Sequence, residues 1–287
     1  MSEGSVSPTR LILLGTAGGP RIFPHRAAPS QVIVAGGSAY LVDCGEGALR
    51  RLAEAGFSAH EVEHLFIGHL HSDHIADYGN LLLLSWASGR QRPINVWGPP
   101  PLRTMTDAFF AYASWDIATR VEDEGRPPIA PLVRVHEVDR DGVVMEDEHV
   151  RVTAVRVNHP PVHHTYAYRF DSADRSIVIS NDTTPWDPLV QLARGADVLV
   201  HEAMHVERLG TVLARNPNAT SLLEHLRASH TSVTEVGKVA RRAGVETLVL
   251  SHLTPADDGV VSEAEWLAPP RRDFDGAVLL GHDLLEV

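Results

Sequence analysis

The chain has 287 residues and a formal net charge of −12, with 44% hydrophobic and 22% charged residues. These values fit a globular protein with a full core, and the negative charge argues against a protein that wraps nucleic acid with a basic face. The stretch 1–9 is polar and has no apolar signal core, and the apolar runs of the chain are too short to cross a membrane. The single Cys44 excludes an intramolecular disulfide. We therefore expect a cytoplasmic protein with no membrane contact.

Strand and helix patterns alternate from residue 10 onward. Strands are predicted at 10–15, 31–36, 39–45, 64–67, 94–97, 131–138, 150–157, 165–170, 176–180, 197–201, 246–250 and 277–280. Helices are predicted at 46–56, 75–88, 101–119, 186–194, 203–214, 221–228 and 232–243. We therefore expect a flexible tail at 1–9 and one mixed α/β domain at 10–287.

Three local signals refine this layout. Gly36 and Gly37 predict a hairpin turn between the second and third strands. Ser232, with Glu235 three residues later, predicts a capping box at the start of the helix at 232–243. The charged and proline-containing stretch 120–131 predicts a mobile surface excursion.

Five of the apolar strands run directly into acidic or imidazole side chains. The strand at 64–67 leads into "HLHSDH", and four later strands lead into His159, Asp182, Glu202 and His252. The C-terminal ends of strands in a layered α/β domain lie along one rim, where ligands bind. Residues that are far apart in the sequence are therefore expected to meet in one site.

The string "HLHSDH" predicts half of a two-metal centre. Alternate residues of an extended segment point the same way, so His69 and His71 can face one ion, while Asp73 and His74 face a second. The expected ligand sets are His69, His71, His159 and Asp182 for the first ion and Asp73, His74, His252 and the bridging Asp182 for the second. Mixed imidazole and carboxylate ligation favours two Zn²⁺ ions, with Mn²⁺ or Fe²⁺ as alternatives. Chance clustering or a structural metal site is the other interpretation of this string.

Two further residues indicate chemistry beside the metals. His230 stands just before the helix at 232–243 and could donate a proton to a leaving group. Glu202 could orient His230. The alternative for each is an ordinary solvent-facing residue at the end of an element. We take Asp73, Glu202 and His230 as the candidate catalytic residues.

These motifs resemble the metallo-β-lactamase superfamily. "HLHSDH", "NHP" at 158–160, "SNDT" at 180–183, "SHTS" at 229–232 and "SHLTP" at 251–255 occur in the order of that family. The resemblance implies an αββα sandwich, two mixed sheets flanked by helices. "HEA" at 201–203 and "HTS" at 230–232 are similar to the tRNase Z-like branch, and "HSDHIADYGNLLLLSWASGR" is similar to its arylsulfatase-like and phosphodiesterase-like hydrolases.

The leading hypothesis is a dinuclear hydrolase of a small ester, arylsulfatase-like or phosphodiesterase-like, with metal-bound hydroxide as the nucleophile. The resemblance implies a basic tRNA-gripping arm for true tRNA nucleases, whereas the region 100–150 is acidic, so we expect a small-molecule substrate rather than nucleic acid. The segments 16–30 and 109–116 are expected to shape the pocket. The alternatives are a tRNase Z-type endoribonuclease processing tRNA 3′ ends, a lactonase or other carboxylic ester hydrolase, and a non-catalytic metal-binding or ligand-sensing domain. The branch also implies a homodimer.

Overall fold

Two β-sheets pack face to face in the computed structural model, which describes residues 8–287. The first sheet has the order β1 (Arg10–Gly15), β2 (Ser30–Ala35), β3 (Ser38–Val42), β4 (His64–Phe66), β5 (Ile94–Gly98) and β6 (Val133–Glu137). The second has the order β13 (Ala277–Leu280), β12 (Thr247–Thr254), β11 (Val198–Met204), β10 (Ser176–Ile179), β9 (Tyr166–Ser172), β8 (Val150–Arg156) and β7 (Gly142–Glu146). Both sheets combine parallel and antiparallel pairs.

Helices cover the outer face of each sheet. They are α1 (Ala48–Glu54), α2 (Ser72–Ile75), α3 (Tyr78–Ala87), α4 (Leu102–Tyr112), α5 (Ser114–Glu124), α6 (Asp187–Leu192), α7 (Gly210–Arg215), α8 (Leu222–Ser229), α9 (Val233–Ala243) and α10 (Glu263–Leu267). Apolar residues of α1, α3 and α4 join a core outside the first sheet, and those of α6, α9 and α10 join a core outside the second. The expected αββα sandwich is confirmed. Among the described residues, no helix has the length and apolarity to cross a bilayer.

The central core lies between the two sheets. Phe66 of β4 stacks on Trp97 of β5 at 4.9 Å and meets Phe170 of β9 edge-on at 5.2 Å, so the aromatic residues join both sheets. Full burial of one such side chain stabilises the fold by about 1.5–3 kcal/mol. Successive side chains of each strand point to opposite faces of its sheet. The inward-facing side chains of the two sheets pack against each other and therefore fix how the sheets align.

Parallel pairing places the candidate residues on one rim. β3, β4 and β5 are parallel in the first sheet, and β10, β11, β12 and β13 are parallel in the second. The segments that leave β4 and β10 carry predicted ligands, and His252 lies within β12 near its C-terminal end. The last residues of the sequence lie beside β1, the edge strand of the first sheet. There, Leu13 N–H donates a hydrogen bond to Leu285 O at 2.9 Å.

Several predicted elements differ from the observed ones. The expected helix at 75–88 begins earlier and is divided into α2 and α3, and the one at 101–119 is divided at Ala113 into α4 and α5. The stretch 120–131, expected to be a mobile excursion, is helical to Glu124. The strand β7 was not expected, and much of the predicted helix at 203–214 is occupied by the end of β11 and a 3-10 turn before α7.

The hairpin and cap predictions had different outcomes. Gly36 and Gly37 have φ values of +58° and +86°, which confirms the predicted tight turn, since glycine adopts positive φ without a steric penalty. Ser232 does cap α9, but Glu235 pairs with Lys238 at 2.6 Å instead of completing a capping box. The predicted tail at 1–9 lies mostly outside the described residues.

Candidate metal centre and active site

The "HLHSDH" segment forms the tight connection between β4 and α2. His69 and His71 lie in the extended part, and Asp73 and His74 lie in the first turns of the helix. This change from extended to helical backbone separates the four side chains into two pairs. The sequence analysis predicted the same two pairs and assigned one pair to each ion.

The first group brings together His69, His71, His159 and Asp182. His71 Nδ1 lies 2.9 Å from His69 Nε2 and 3.3 Å from His159 Nε2. Asp182 Oδ2 lies 3.7 Å from His69 Nε2 and 3.9 Å from His159 Nε2. Ligand atoms around a tetrahedral zinc ion with bonds of about 2.0–2.1 Å lie about 3.4 Å apart, so this group has the spacing of a metal site.

The second group brings together Asp73, His74, His252 and Asp182. Asp182 Oδ1 lies 3.4 Å from His74 Nε2 and 3.1 Å from His252 Nε2. Asp73 Oδ2 lies 3.7 Å from His74 Nε2 and 3.4 Å from His252 Nε2. Asp182 therefore presents one oxygen to each group, the geometry expected of a bridging carboxylate.

Unpartnered buried atoms test whether a cation fits this centre. His74 Nε2 and Asp182 Oδ1 are fully buried and form no hydrogen bond with the described residues. Such atoms are costly to bury unless something binds them. Nearly all of the candidate ligands are buried too, His69 and His159 to within 1% of full burial. The centre thus fits divalent cations, which bind these donor types directly.

Electrostatics keep the carboxylates of the centre ionised. Burial alone would raise the pKa of Asp182, but His252 and His74 outweigh it and hold the pKa well below its usual range. Burial opposes ionisation of Asp73 as well, and His74 and His252 again lower its pKa. Burial lowers the pKa of His69, which favours the neutral ring that binds a metal.

Asp43 belongs to the site although the sequence analysis missed it. Its Oδ1 accepts a hydrogen bond from Gly68 N–H, and its Oδ2 accepts one from His74 Nδ1, both at 2.8 Å. Nε2 of His74 is thereby left to face the cation position, as outer carboxylates do for metal-bound histidines. An acid at the end of β3 in "YLVDCG" was the available signal, and it matches the pattern of the other strand ends.

Three residues of the site have left-handed backbone. φ is +55° at Asp43, +50° at Asn181 and +45° at His252. Asp and Asn adopt this region more readily than most residues, whereas for histidine it is uncommon. Asn181 also donates from Nδ2 to Tyr166 O at 2.8 Å, which fixes the bend that turns Asp182 into the centre.

Glu202 and His230 form a pair next to the second group. Glu202 Oε1 accepts from Thr183 N–H at 2.9 Å and from Thr231 N–H at 3.2 Å, and it lies 3.1 Å from His230 Nδ1. Burial acts to lower the pKa of His230, but Glu202 overcomes this and raises it to about 9. The ring of His230 stacks on His252 at 5.7 Å, so the pair adjoins the candidate cations.

A cavity of about 550 Å³ opens over the centre. It exposes His71, Asp73, Asp182, His230 and His252. Part of the predicted segment 16–30, from Gly18 to Phe23, lines it as expected, and α7, α8 and the loop at 255–257 form the other walls. The segment 109–116 does not line it, because α4 and α5 lie on the outer face of the first sheet.

Two cationic side chains lie at the mouth of the cavity. Arg21 and Arg215 both donate to Asp257 Oδ1, at 2.6 and 2.5 Å, and both remain nearly half exposed. Two guanidinium groups around one carboxylate leave a local excess of positive charge on a chain of net charge −12. Sequence analysis missed this trio because its members are far apart in the sequence, on the loop between β1 and β2, at the end of α7 and on the loop after β12.

Comparisons with known proteins agree on the family and change the expected substrate. A family model described as "Beta-lactamase superfamily domain" matches residues 39–253. Ribonuclease Z of Mycobacterium sp. (strain KMS) is 39% identical over 278 residues, covering 96% of this chain and 94% of that relative. Ribonuclease Z of Mycobacterium bovis (strain BCG / Pasteur 1173P2) is 36% identical over 286 residues, covering 96% and 97%.

Solved structures share the fold at lower identity. The metallo-beta-lactamase fold protein YhfI of Bacillus subtilis aligns with a TM-score of 0.73 at 20% identity, over 98% of this chain and 99% of that one. Human tRNase Z, short form, aligns with a TM-score of 0.67 at 23% identity, over 97% and 98%. The predicted superfamily and the prediction of a hydrolase are confirmed.

The expectation of a small ester substrate, with nucleic acid unlikely, is wrong. Curated relatives at 35–39% identity over nearly the whole chain are named ribonuclease Z. The error came from using the net charge and the acidic stretch 100–150 as a guide to the substrate. Net charge sums the whole surface and does not describe the charges around one cavity, which here include Arg21 and Arg215.

Proposed function

We propose that this chain, which belongs to the metallo-β-lactamase superfamily, is a ribonuclease of the Z type that cleaves a phosphodiester bond at the 3′ end of tRNA precursors. The observation that carries the proposal is the similarity to curated ribonucleases Z, 39% identity over 96% of the chain. The arrangement of two ligand groups, a buried acid–histidine pair and a cationic cavity mouth supports the same chemistry.

We assign two divalent cations to the centre, with zinc as the first choice. His69, His71 and His159 would hold one, Asp73, His74 and His252 the other, and Asp182 would contact both. Cations bound here would stabilise negative charge on the phosphoryl oxygens and make water a better nucleophile. Asp43 and the carbonyl of Ser229, which lies 3.0 Å from His159 Nδ1, keep two of the histidine rings in the ligating orientation.

The protein's own groups would handle the protons of the reaction. Asp73 lies in the cavity, is ionised, and would accept a hydrogen bond from the attacking water. A bond forms between the water oxygen and phosphorus, and the bond from phosphorus to the ribose 3′ oxygen breaks. His230, held at Nδ1 by Glu202, would donate its other proton to that leaving oxygen. The products are a 3′-hydroxyl end and a 5′-phosphate on the trailer.

Arg21 and Arg215 would receive the phosphates that flank the cleaved bond. Both contact Asp257 Oδ1 at the entrance of the cavity, and both side chains remain nearly half exposed. Arginine binds phosphate oxygens in pairs, and such contacts weaken as salt competes for them. The Arg21 guanidinium also lies 4.9 Å from the ring centre of Phe23, so a base can stack on the same wall.

Cleavage of a labelled tRNA precursor with a short 3′ trailer tests the proposal. The zinc-loaded protein is expected to release the trailer, and the His230→Ala variant to do so about 10²–10⁴-fold more slowly, the usual contribution of a general acid. His60→Ala is the matched control, because His60 is exposed and remote from the cavity. Raising the salt concentration is expected to weaken binding.

The result that refutes the proposal is equally direct. Wild-type protein that binds two zinc ions and leaves every tRNA precursor intact, while hydrolysing a simple phosphodiester, would show that RNA is not its substrate. Equal rates for His230→Ala and His60→Ala on the precursor would remove His230 from the mechanism.

A further inference from the structure

His225, the fourth histidine that lines the cavity, belongs to neither ligand group and has no role in the proposed mechanism. His225 lies on α8, four residues before Ser229, and is half-buried in the cavity wall. Its ring centre is 6.0 Å from that of His159 and 6.2 Å from that of His230. It therefore lies beside the region where the leaving oxygen of the substrate departs.

The hydrogen bonds of Ser229 fix which nitrogen of His225 carries its proton. Ser229 Oγ donates its single proton to the carbonyl of Pro160, which can only accept. The contact at 3.2 Å between Ser229 Oγ and His225 Nδ1 must then use the Nδ1 proton of the ring. The neutral ring is left with a lone pair on Nε2, which has no partner among the described residues.

An unpartnered lone pair selects a hydrogen-bond donor. A phosphate oxygen has no proton to offer and is repelled by the lone pair of Nε2. In a polyribonucleotide, the donor next to the cleaved bond is the 2′-hydroxyl, one carbon away from the 3′ oxygen that leaves toward His230. That hydroxyl is the group by which a protein distinguishes RNA from DNA.

We propose that His225 accepts a hydrogen bond from the ribose 2′-hydroxyl beside the cleaved phosphodiester and makes the site selective for RNA. This inference rests on the proposed ribonuclease function. Leu222 and Leu226 lie on the same helix and line the same cavity, so the ribose would rest against an apolar wall with His225 as its polar contact. His225 is thereby a specificity-determining residue and not a metal ligand.

The test compares two precursors that differ in one oxygen. One is all-ribose, and the other has a single 2′-deoxyribose on the 5′ side of the cleaved bond. Wild-type protein is expected to cleave the ribose substrate about two- to tenfold faster, the worth of one hydrogen bond. In His225→Phe, which keeps a ring without an acceptor, this ratio is expected to fall close to one. His225→Gln, whose amide oxygen can accept, is expected to restore part of it.

Each outcome has a distinct meaning. Failure of the wild-type protein to cleave the ribose substrate refutes the ribonuclease function itself. Cleavage of both substrates at equal rates by the wild-type protein refutes only the role of His225, whether or not the variants fold. A ratio that persists in His225→Phe, measured with two metal ions bound, refutes it too. His60→Phe is the matched control and is expected to keep the wild-type ratio.

Discussion

Replacement of Asp43 by Asn tests how the second cation position is held. Asp43 is 1% exposed, and its two oxygens accept one bond each, from Gly68 N–H and from His74 Nδ1. An Asn at this position keeps the left-handed backbone and one acceptor, but its amide group can only donate. If the amide faces His74, the ring proton must move to Nε2, the atom that faces the cation. If it faces Gly68, two donors oppose each other in a buried site.

Either arrangement disturbs the outer contact that orients His74, and the loss of such a contact costs about 10–100-fold in metal affinity. Zinc titration calorimetry on metal-free protein is expected to show one weakened site and one site close to the wild type. Asp147→Asn is the matched control: this carboxylate accepts two backbone bonds and the Tyr40 hydroxyl bond outside the centre. Two sites of wild-type affinity in Asp43→Asn would refute the orienting role.

Three further changes have predicted outcomes. Asp182→Ala removes the oxygen that each group needs, so metal content measured by mass spectrometry is expected to fall from two ions to fewer than one, with loss of hydrolysis. Trp266→Ala, at a position 3% exposed in the outer core of the second sheet, is expected to lower the free energy of unfolding by about 3–5 kcal/mol in urea titrations. The Ser176 N–H and hydroxyl lower the pKa of Asp197 in the folded protein. Its stabilisation is therefore present above the unfolded pKa of about 3.9 and lost as the pH falls through the folded pKa. The difference in unfolding free energy between wild type and Asp197→Asn is expected to vanish under acid.

The clustering of the candidate ligands could be predicted because these residues stand at or near the ends of strands. Periodicity identifies the strands, and parallel pairing puts their C-terminal ends on one rim, so the sequence position of Asp182 or His252 already implies where it lies. Asp43 directly follows β3 and fits the same pattern, although the sequence analysis did not include it. His225 could not be found this way, since its approach to the cavity depends on how α8 packs over the rim.

Helix ends and the substrate were harder to predict for physical reasons. No Gly or Pro marks the break at Ala113, where the backbone turns between α4 and α5, so the sequence there favours one continuous helix. The positive mouth of the cavity depends on Arg21 and Arg215 both lying against Asp257 in the folded chain. The amino-acid composition does not show which charged side chains lie together in the folded protein. The net charge of the whole chain therefore indicated the wrong class of substrate.

The chemical nature of the product ends shows whether water or a ribose hydroxyl attacks the phosphorus. A tRNA precursor cleaved by the zinc-loaded protein in ¹⁸O-labelled water is predicted to yield a 3′-hydroxyl on the tRNA and one labelled oxygen in the 5′-phosphate of the trailer. This is the outcome of water attacking phosphorus while His230 protonates the ribose oxygen. A 2′,3′-cyclic phosphate with an unlabelled 5′-hydroxyl trailer would refute the proposed mechanism, because the nucleophile would then be the ribose and not water.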